Sequence, residues 1–259
     1  MTDLLTKVIE AHGGLDRWQA VRHLRAEVSF AGPFWTQRSV PTTALTRLVV
    51  EVEPHVQRAT LRPWFDESDS FTLTVAPETA TITHGDGRST ETLANPRASF
   101  PNTGPQDPWG RFQVGYFLSY GLWNYLTTPF LLTYPGVRTR ETDPWQEDDH
   151  HSWRRLEVTF PDTIATHCRV QTFYFDDRGF LRRMDYLPDV AAGPANPSEQ
   201  ERSLGVAHYV DGHTEVGGFV FPTLRSVFPR RADNTPAGRT STRVDGLTIS
   251  LAIHDISVT

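Results

Sequence analysis

The sequence predicts an α+β fold: one large, curved antiparallel β-sheet of about ten strands, holding an apolar pocket against a few helices. Short runs of alternating apolar and polar residues recur from residue 24 to residue 258, with turn chemistry between them. One mid-chain segment, Trp109 to Leu132, breaks that rhythm with aromatic residues at helical spacing. No strand–helix–strand alternation calls for a parallel sheet. A chain of 259 residues fits a single domain, 1–259, because all-β barrels and sandwiches often reach this length.

Leu4, Leu5, Val8 and Ile9 stand at helical spacing behind Thr2 or Asp3 as N-cap, and Gly13-Gly14 stops that helix. A second helical turn, Leu15 to Val21, carries Trp18. The period then changes to two: Leu24, Ala26, Val28 and Phe30 alternate with Arg25, Glu27 and Ser29. Strands are expected at Leu45–Val52, His55–Leu61, Phe71–Val75 and Thr79–Thr83, with hairpin-turn chemistry at Gly85-Asp86-Gly87. Leu93 to Pro108, with four prolines, reads as a loop.

In the helical segment Phe112, Tyr116, Tyr120, Trp123 and Leu126 fall on one face, widened by Phe117 and Leu122, and Pro129 breaks the element. Such a helix needs an apolar surface to cover, and the concave face of the sheet offers one. Beyond it come Trp153–Phe160, with Leu156, Val158 and Phe160 on one face, then His167–Phe175, the turn Asp176-Asp177-Arg178-Gly179 and Phe180–Leu187. After a Pro-, Gly- and Ser-rich loop (Pro188 to Ser203) follow Leu204–Asp211, Glu215–Phe228, the polar segment Arg230 to Gly246 and Leu247–Val258.

Composition narrows the function classes. A formal net charge of −6 argues against a nucleic-acid or anionic-membrane surface. Cys168 is the only cysteine, so no intramolecular disulfide and no cysteine-based zinc cluster forms. The opening Met1-Thr2-Asp3 leads straight into an amphipathic helix without the marks of a secretory signal, and no apolar run approaches the ~20 residues that span a bilayer, so the expected location is cytoplasmic. Phosphate-loop, dinucleotide and nucleophile-elbow motifs are missing. His150-His151 sit in an acidic stretch, and His208 and His213 flank an expected turn at Asp211-Gly212; neither spacing is a metal-ligand pattern, so neither metal nor cofactor is expected.

Alternation places His167, Arg169 and Gln171 on the face of Phe173 and Phe175; Arg182, Met184 and Tyr186 share a face opposite Asp185; His208 joins Val206 and Val210 while Tyr209 points away. If the Phe residues face the cavity, ligand-lining residues are Phe112, Tyr116, Tyr120, Trp123, Arg169, Gln171, Phe173 and Arg182. His167, His208 and Tyr186 are then the candidates for moving a proton, since imidazole ordinarily titrates near neutral pH. The alternative is that the histidines are satisfied core residues and that Arg169 and Arg182 snorkel from the convex face, which inverts the assignment.

The segment Ala11-His12-Gly13-Gly14-Leu15-Asp16-Arg17-Trp18, the late hairpin and the strand ending Gly217-Gly218-Phe219-Val220-Phe221-Pro222-Thr223 appear in an order that resembles the LolA- and LolB-type lipoprotein-carrier superfamily. Tyr125-Leu126-Thr127-Thr128-Pro129-Phe130, Pro144-Trp145-Gln146-Glu147 and Thr159-Phe160-Pro161 look like segments of cytoplasmic actinobacterial relatives of unknown function. The resemblance implies a curved half-barrel over helices with a hydrophobic cavity, a fold also used by the violacein-pathway enzyme VioE, which needs neither cofactor nor metal. Two functions follow as expectations: binding of a hydrophobic or aromatic small molecule, or a cofactor-independent cyclase, isomerase or dehydratase of secondary metabolism. The oligomeric state is left open.

Overall fold

In the computed structural model the described residues are 3–65, 71–85, 87, 90–100, 107–190, 205–239 and 244–259. Thr2, Asp86, residues 101–106, most of the expected loop 188–203 and residues 240–243 lie outside them. Helix α1 (Leu4–Ala11) starts at Asp3, whose carboxylate accepts from the Thr6 N–H at 3.3 Å, and buries Leu4, Val8 and Ile9. Helix α2 (Leu15–Trp18) is a single turn that inserts Trp18 into the core.

The strands are β1 (Leu24–Ala31), β2 (Leu48–Glu53), β3 (Arg58–Arg62), β4 (Phe71–Ala76), β5 (Thr79–His84), β6 (Thr90–Ala94), β7 (Arg138–Gln146), β8 (Ser152–Thr159), β9 (Val170–Phe175), β10 (Leu181–Tyr186), β11 (Val206–Val216), β12 (Phe219–Pro229) and β13 (Ile249–Val258). They form one antiparallel sheet in the order β6-β5-β4-β3-β2-β1-β13-β12-β11-β10-β9-β8-β7. Two additional helices, α3 (Pro33–Gln37) and α4 (Arg111–Thr127), complete the chain path, and α4 lies in the connection between the two edge strands, β6 and β7.

The strand count is thirteen among the described residues, not about ten. Both edge strands escape the periodicity: β6 lies partly inside the expected loop at Leu93, and β7 has no fully buried position and contains Pro144. An edge strand needs neither a clean apolar face nor a complete ladder, and charged or Pro-bearing edges resist pairing with other chains. Strand β11 continues past Asp211-Gly212, where a turn was expected. Gly212 there adopts φ +68°, yet the register against β12 runs through it unshifted, and the reversal falls at Gly217-Gly218 instead.

Helix α4 departs from the one-faced helix that the spacing implied. Every residue from Val114 to Thr127 is buried, while Phe112 is only half-buried. A helix apolar on all sides belongs inside a core, here against β3, β4 and β5 on one side and α3 and β10 to β12 on the other. The Gln113 side chain caps its start by accepting from the Gly110 N–H at 2.9 Å. Thr127 and Thr128 hydroxyls take the Trp123 and Asn124 carbonyls at its end, ahead of Pro129.

Two glycine pairs far apart in sequence meet. Arg17 donates to the Gly217 and Gly218 carbonyls at 3.1 and 3.2 Å, and Val220 N–H donates to the His12 carbonyl at 3.3 Å. A Cβ on Gly13, at φ +118°, would stand 2.4 Å from the Gly218 carbonyl oxygen, whereas one on Gly14, at φ +85°, meets only a distant Glu10 oxygen. Gly13→Ala is therefore expected to destabilise by about 2–4 kcal/mol, strain plus a backbone collision, against about 1 kcal/mol for Gly14→Ala. Urea unfolding of both variants checks this; equal losses would mean that the approach of the two turns is not tight.

The sheet also buries part of its outer face. Trp153, Tyr174, Ala207, Tyr209 and Phe228 form a second, smaller cluster, packed by Trp145 and Leu247. At its heart Arg183 forms a two-pronged ion pair with Asp185 at 2.6 and 2.9 Å and reaches Glu147 at 3.1 Å. Tyr174 donates to Asp185 and Tyr209 to Glu147, each at 2.6 Å, and the Asn234 carbonyl accepts from Arg183 at 2.6 Å. Arg183 is fully buried, so this network ties the 230–239 segment and the end of β7 onto the convex side.

Candidate functional site

Between α4, α3 and strands β10 to β13 the main core leaves a cavity of about 30 Å³. Its apolar walls come from Phe30, Trp35, Phe117, Leu118, Gly121, Val227, Ile249 and Leu251, and its polar side chains are Tyr125, His167, Tyr186, His208 and Arg225. That volume holds on the order of two waters. The roomy apolar cavity expected from the sequence is largely filled by rings: Phe34 stacks on Phe117 at 5.6 Å, and Trp35 meets Phe30 and Phe117 edge-on.

The polar side chains form one hydrogen-bonded series. Tyr120 Oη lies 3.1 Å from His167 Nδ1, and Tyr125 Oη lies 2.7 Å from His167 Nε2. Tyr125 and Tyr186 share a hydroxyl contact, and Tyr186 Oη lies 2.9 Å from His208 Nδ1. The Tyr186 ring stacks flat on the His167 imidazole at 4.3 Å. Each imidazole uses one nitrogen as donor and the other as acceptor when neutral, so the series can run in either direction. Either direction leaves His208 Nε2 without a partner.

Burial keeps both histidines neutral. Desolvation first, then the charges of Arg97 and Arg225, push His167 down to about 3. Desolvation, with Arg225 and His167 nearby, holds His208 well below its ordinary value. The expectation that these imidazoles titrate near neutral pH is therefore corrected; they act as neutral hydrogen-bonding groups. Burial likewise raises Tyr120, Tyr125 and Tyr186.

Of the predicted residues, His167, Tyr186 and His208 meet at the cavity. Phe112 stays at the half-buried start of α4, while Tyr116 and Trp123 turn toward Gln57, Ala59 and Val75, on the other side of the helix from the cavity; Tyr120 borders that side too, but its hydroxyl reaches His167 behind the cavity wall. Arg169 is exposed beside Asp162, because the strand starts only at Val170 and the residues before it do not keep the period. Gln171 is buried but donates to the Cys168 carbonyl, and Phe173 packs in the core beside Phe160. A bulge between Leu181 and Arg183 removes Arg182 from the face of Met184 and Tyr186; it pairs with Asp211 at 2.8 Å. Sequence reasoning missed Phe117 as the primary wall, Trp35, Tyr125 and above all Arg225. The signal for Arg225 was present: Phe219, Phe221, Arg225 and Val227 share one parity along β12, all of them buried.

A second, wider opening of about 800 Å³ lies between the β4–β5 turn and residues 160–169. Arg97 at its floor clamps both Asp189 oxygens at 2.7 and 2.6 Å and donates to the Thr166 carbonyl. Arg169 and Asp162 belong to this rim rather than to the interior. Among the described residues no group of three or more His, Cys, Asp or Glu side chains is placed to hold a metal ion.

With this geometry in hand, comparison with known proteins gives likenesses of chain path. No protein-family model matches, and no curated protein does. Among solved structures, a LolA superfamily protein from Nitrosomonas europaea is similar at 10% identity and a TM-score of 0.49, covering 98% of this chain and 91% of that one. A DUF1329 family protein from Desulfovibrio piger is similar at 8% identity and a TM-score of 0.43, with the same two coverages. The chain resembles both along nearly its whole length.

Proposed function

We propose that the protein binds a hydrophobic or aromatic small molecule inside the half-barrel, between α4, α3 and strands β10 to β13. The observation that carries this reading is the cavity itself, where aromatic walls converge with unpartnered polar atoms, the composition of small-molecule sites. A ligand of ordinary size needs about 300 Å³ or more. A ligand of that size would take the place of the Trp35 and Phe34 rings of α3 and replace their contacts with Phe30 and Phe117.

Gly121 gives a direct test. It lines the cavity, and a Cβ there makes only ordinary contacts with Tyr125, so Gly121→Val fills the space within an intact helix. Indole or a naphthalene-type dye is expected to bind the native wild-type protein saturably and to shift the His208 imidazole resonances. Gly121→Val is expected to weaken binding at least tenfold. Equal binding by the variant, or binding only in denaturant, overturns the interior site.

The hydrogen-bonded series supports a second reading, a cofactor-independent enzyme in which His167, His208 or Tyr186 passes a proton to or from a bound substrate. In that case His208→Gln lowers turnover by roughly 10²–10⁴-fold with affinity nearly kept. A change in affinity alone favours binding without turnover.

A further inference from the structure

Arg225 is 2% exposed, and no carboxylate lies within ion-pair reach of it among the described residues. Its neighbours are soft or neutral: Met184 Sδ at 3.8 Å, the Tyr125 carbonyl at 3.3 Å and the Tyr125 ring face at 4.2 Å. Its Nε–H has no partner, and neither has His208 Nε2; both side chains line the same cavity. Arg183, buried at least as deeply, has its charge answered inside the chain, since it holds Asp185 with two prongs and has Glu147 beside it. A buried cation without a counter-charge is unfavourable, and native structures keep such a group where something absent from the chain completes it.

We infer that the cavity receives a monoanionic group, the carboxylate of a small apolar or aromatic acid, with Arg225 as its ion-pair partner and His208 Nε2 as its second hydrogen-bond partner. The inference rests on the interior site proposed above and names the chemistry of its ligand. The aromatic walls beside Arg225 suit an apolar body. His208 suits the second oxygen because the series behind it can run so that Nε2 carries the proton, donating to the carboxylate without the ring becoming charged. Arg225 supplies the charge, and burial, which draws its own ionisation down to about 10, leaves it a cation at neutral pH.

The test compares benzoate with its neutral isostere benzamide and with sodium chloride, at equal ionic strength, on the wild type, Arg225→Met and Gly121→Val. Benzoate is expected to raise the Tm of the wild type saturably and to shift the Arg225 Nε–H resonance, with benzamide at least tenfold weaker and chloride inert. Arg225→Met is expected to fold and to lose the response to benzoate; should it fail to fold, the wild-type Nε–H resonance decides alone. Benzoate and benzamide binding equally well, both lost in Gly121→Val, overturns the anion and leaves the interior site standing. No response to any organic probe overturns both. Chloride protecting as well as benzoate assigns the site to an inorganic ion and overturns the organic acid.

Discussion

Below pH 6.5 the stability of the protein is expected to fall by about 4 kcal/mol for each pH unit, so that the fold is lost within roughly two units. The cause is three buried imidazoles. His12, packed against Phe180 with its Nδ1 on the Val8 carbonyl, is drawn down to about 4, chiefly by burial. His167 lies at about 3, and His208 is also well below its ordinary value. The unfolded chain takes up these protons near 6.5 while the folded chain refuses them, so unfolding binds about three protons across that interval and stability rises with pH through it. The three contributions are intact above pH 6.5 and are lost as pH falls toward the folded values. Urea unfolding at half-unit steps from pH 7.5 to 4.5 gives the slope directly, and His12→Gln is expected to reduce it by about a third. A flat profile over that range would mean that the imidazoles are hydrated in the folded protein.

Replacing Arg183 by Met is expected to destabilise by about 3–5 kcal/mol, because Asp185, almost fully enclosed, then keeps a charge with much of its counter-charge gone. Arg230 at 3.2 Å and the Tyr174 hydroxyl remain, so the effect falls short of an isolated buried carboxylate. Pairing the change with Asp185→Leu is expected to restore much of the loss, since two apolar groups of suitable volume often match a buried ion pair. Chemical unfolding of the single and double variants measures both numbers. A single variant as stable as the wild type would show that water reaches the cluster when the cation leaves.

The central strands were legible because each has a clean apolar side: Leu24, Ala26 and Val28 in β1, and Leu156 and Val158 in β8, are all buried as alternation requires. The edge strands were not, since β7 reads Arg-Thr-Arg-Glu-Thr-Asp-Pro-Trp-Gln, with no side that must be dry. Helix α4 was found, but its orientation was misread, because a helix apolar all round gives the aromatic spacing no single meaning. At the candidate site, His208 and Tyr186 lie where strand parity puts them. Arg182 does not, because one bulge residue shifts parity for everything before it, and no composition signal marks a bulge of that kind. Arg225 obeys parity as well, but alternation alone does not distinguish a buried cation from one that reaches solvent at the edge of the sheet.

The pairing of β1 with β13 sets a timetable for folding. Leu24 faces Val258 and Phe30 faces Leu251, so the seam in the middle of the sheet joins residues from opposite ends of the chain. All other ladders link strands that follow one another, and they can zip locally as hairpins while the polypeptide is being made. Two ribbons, β1 to β6 and β7 to β12, therefore wait with open inner margins until the last strand arrives, and closing so distant a contact carries a large entropic penalty. Until then β1 and β12 offer unpaired backbone and apolar side chains to any neighbour, so the wait is the interval in which this chain is most exposed to aggregation and to chaperone capture.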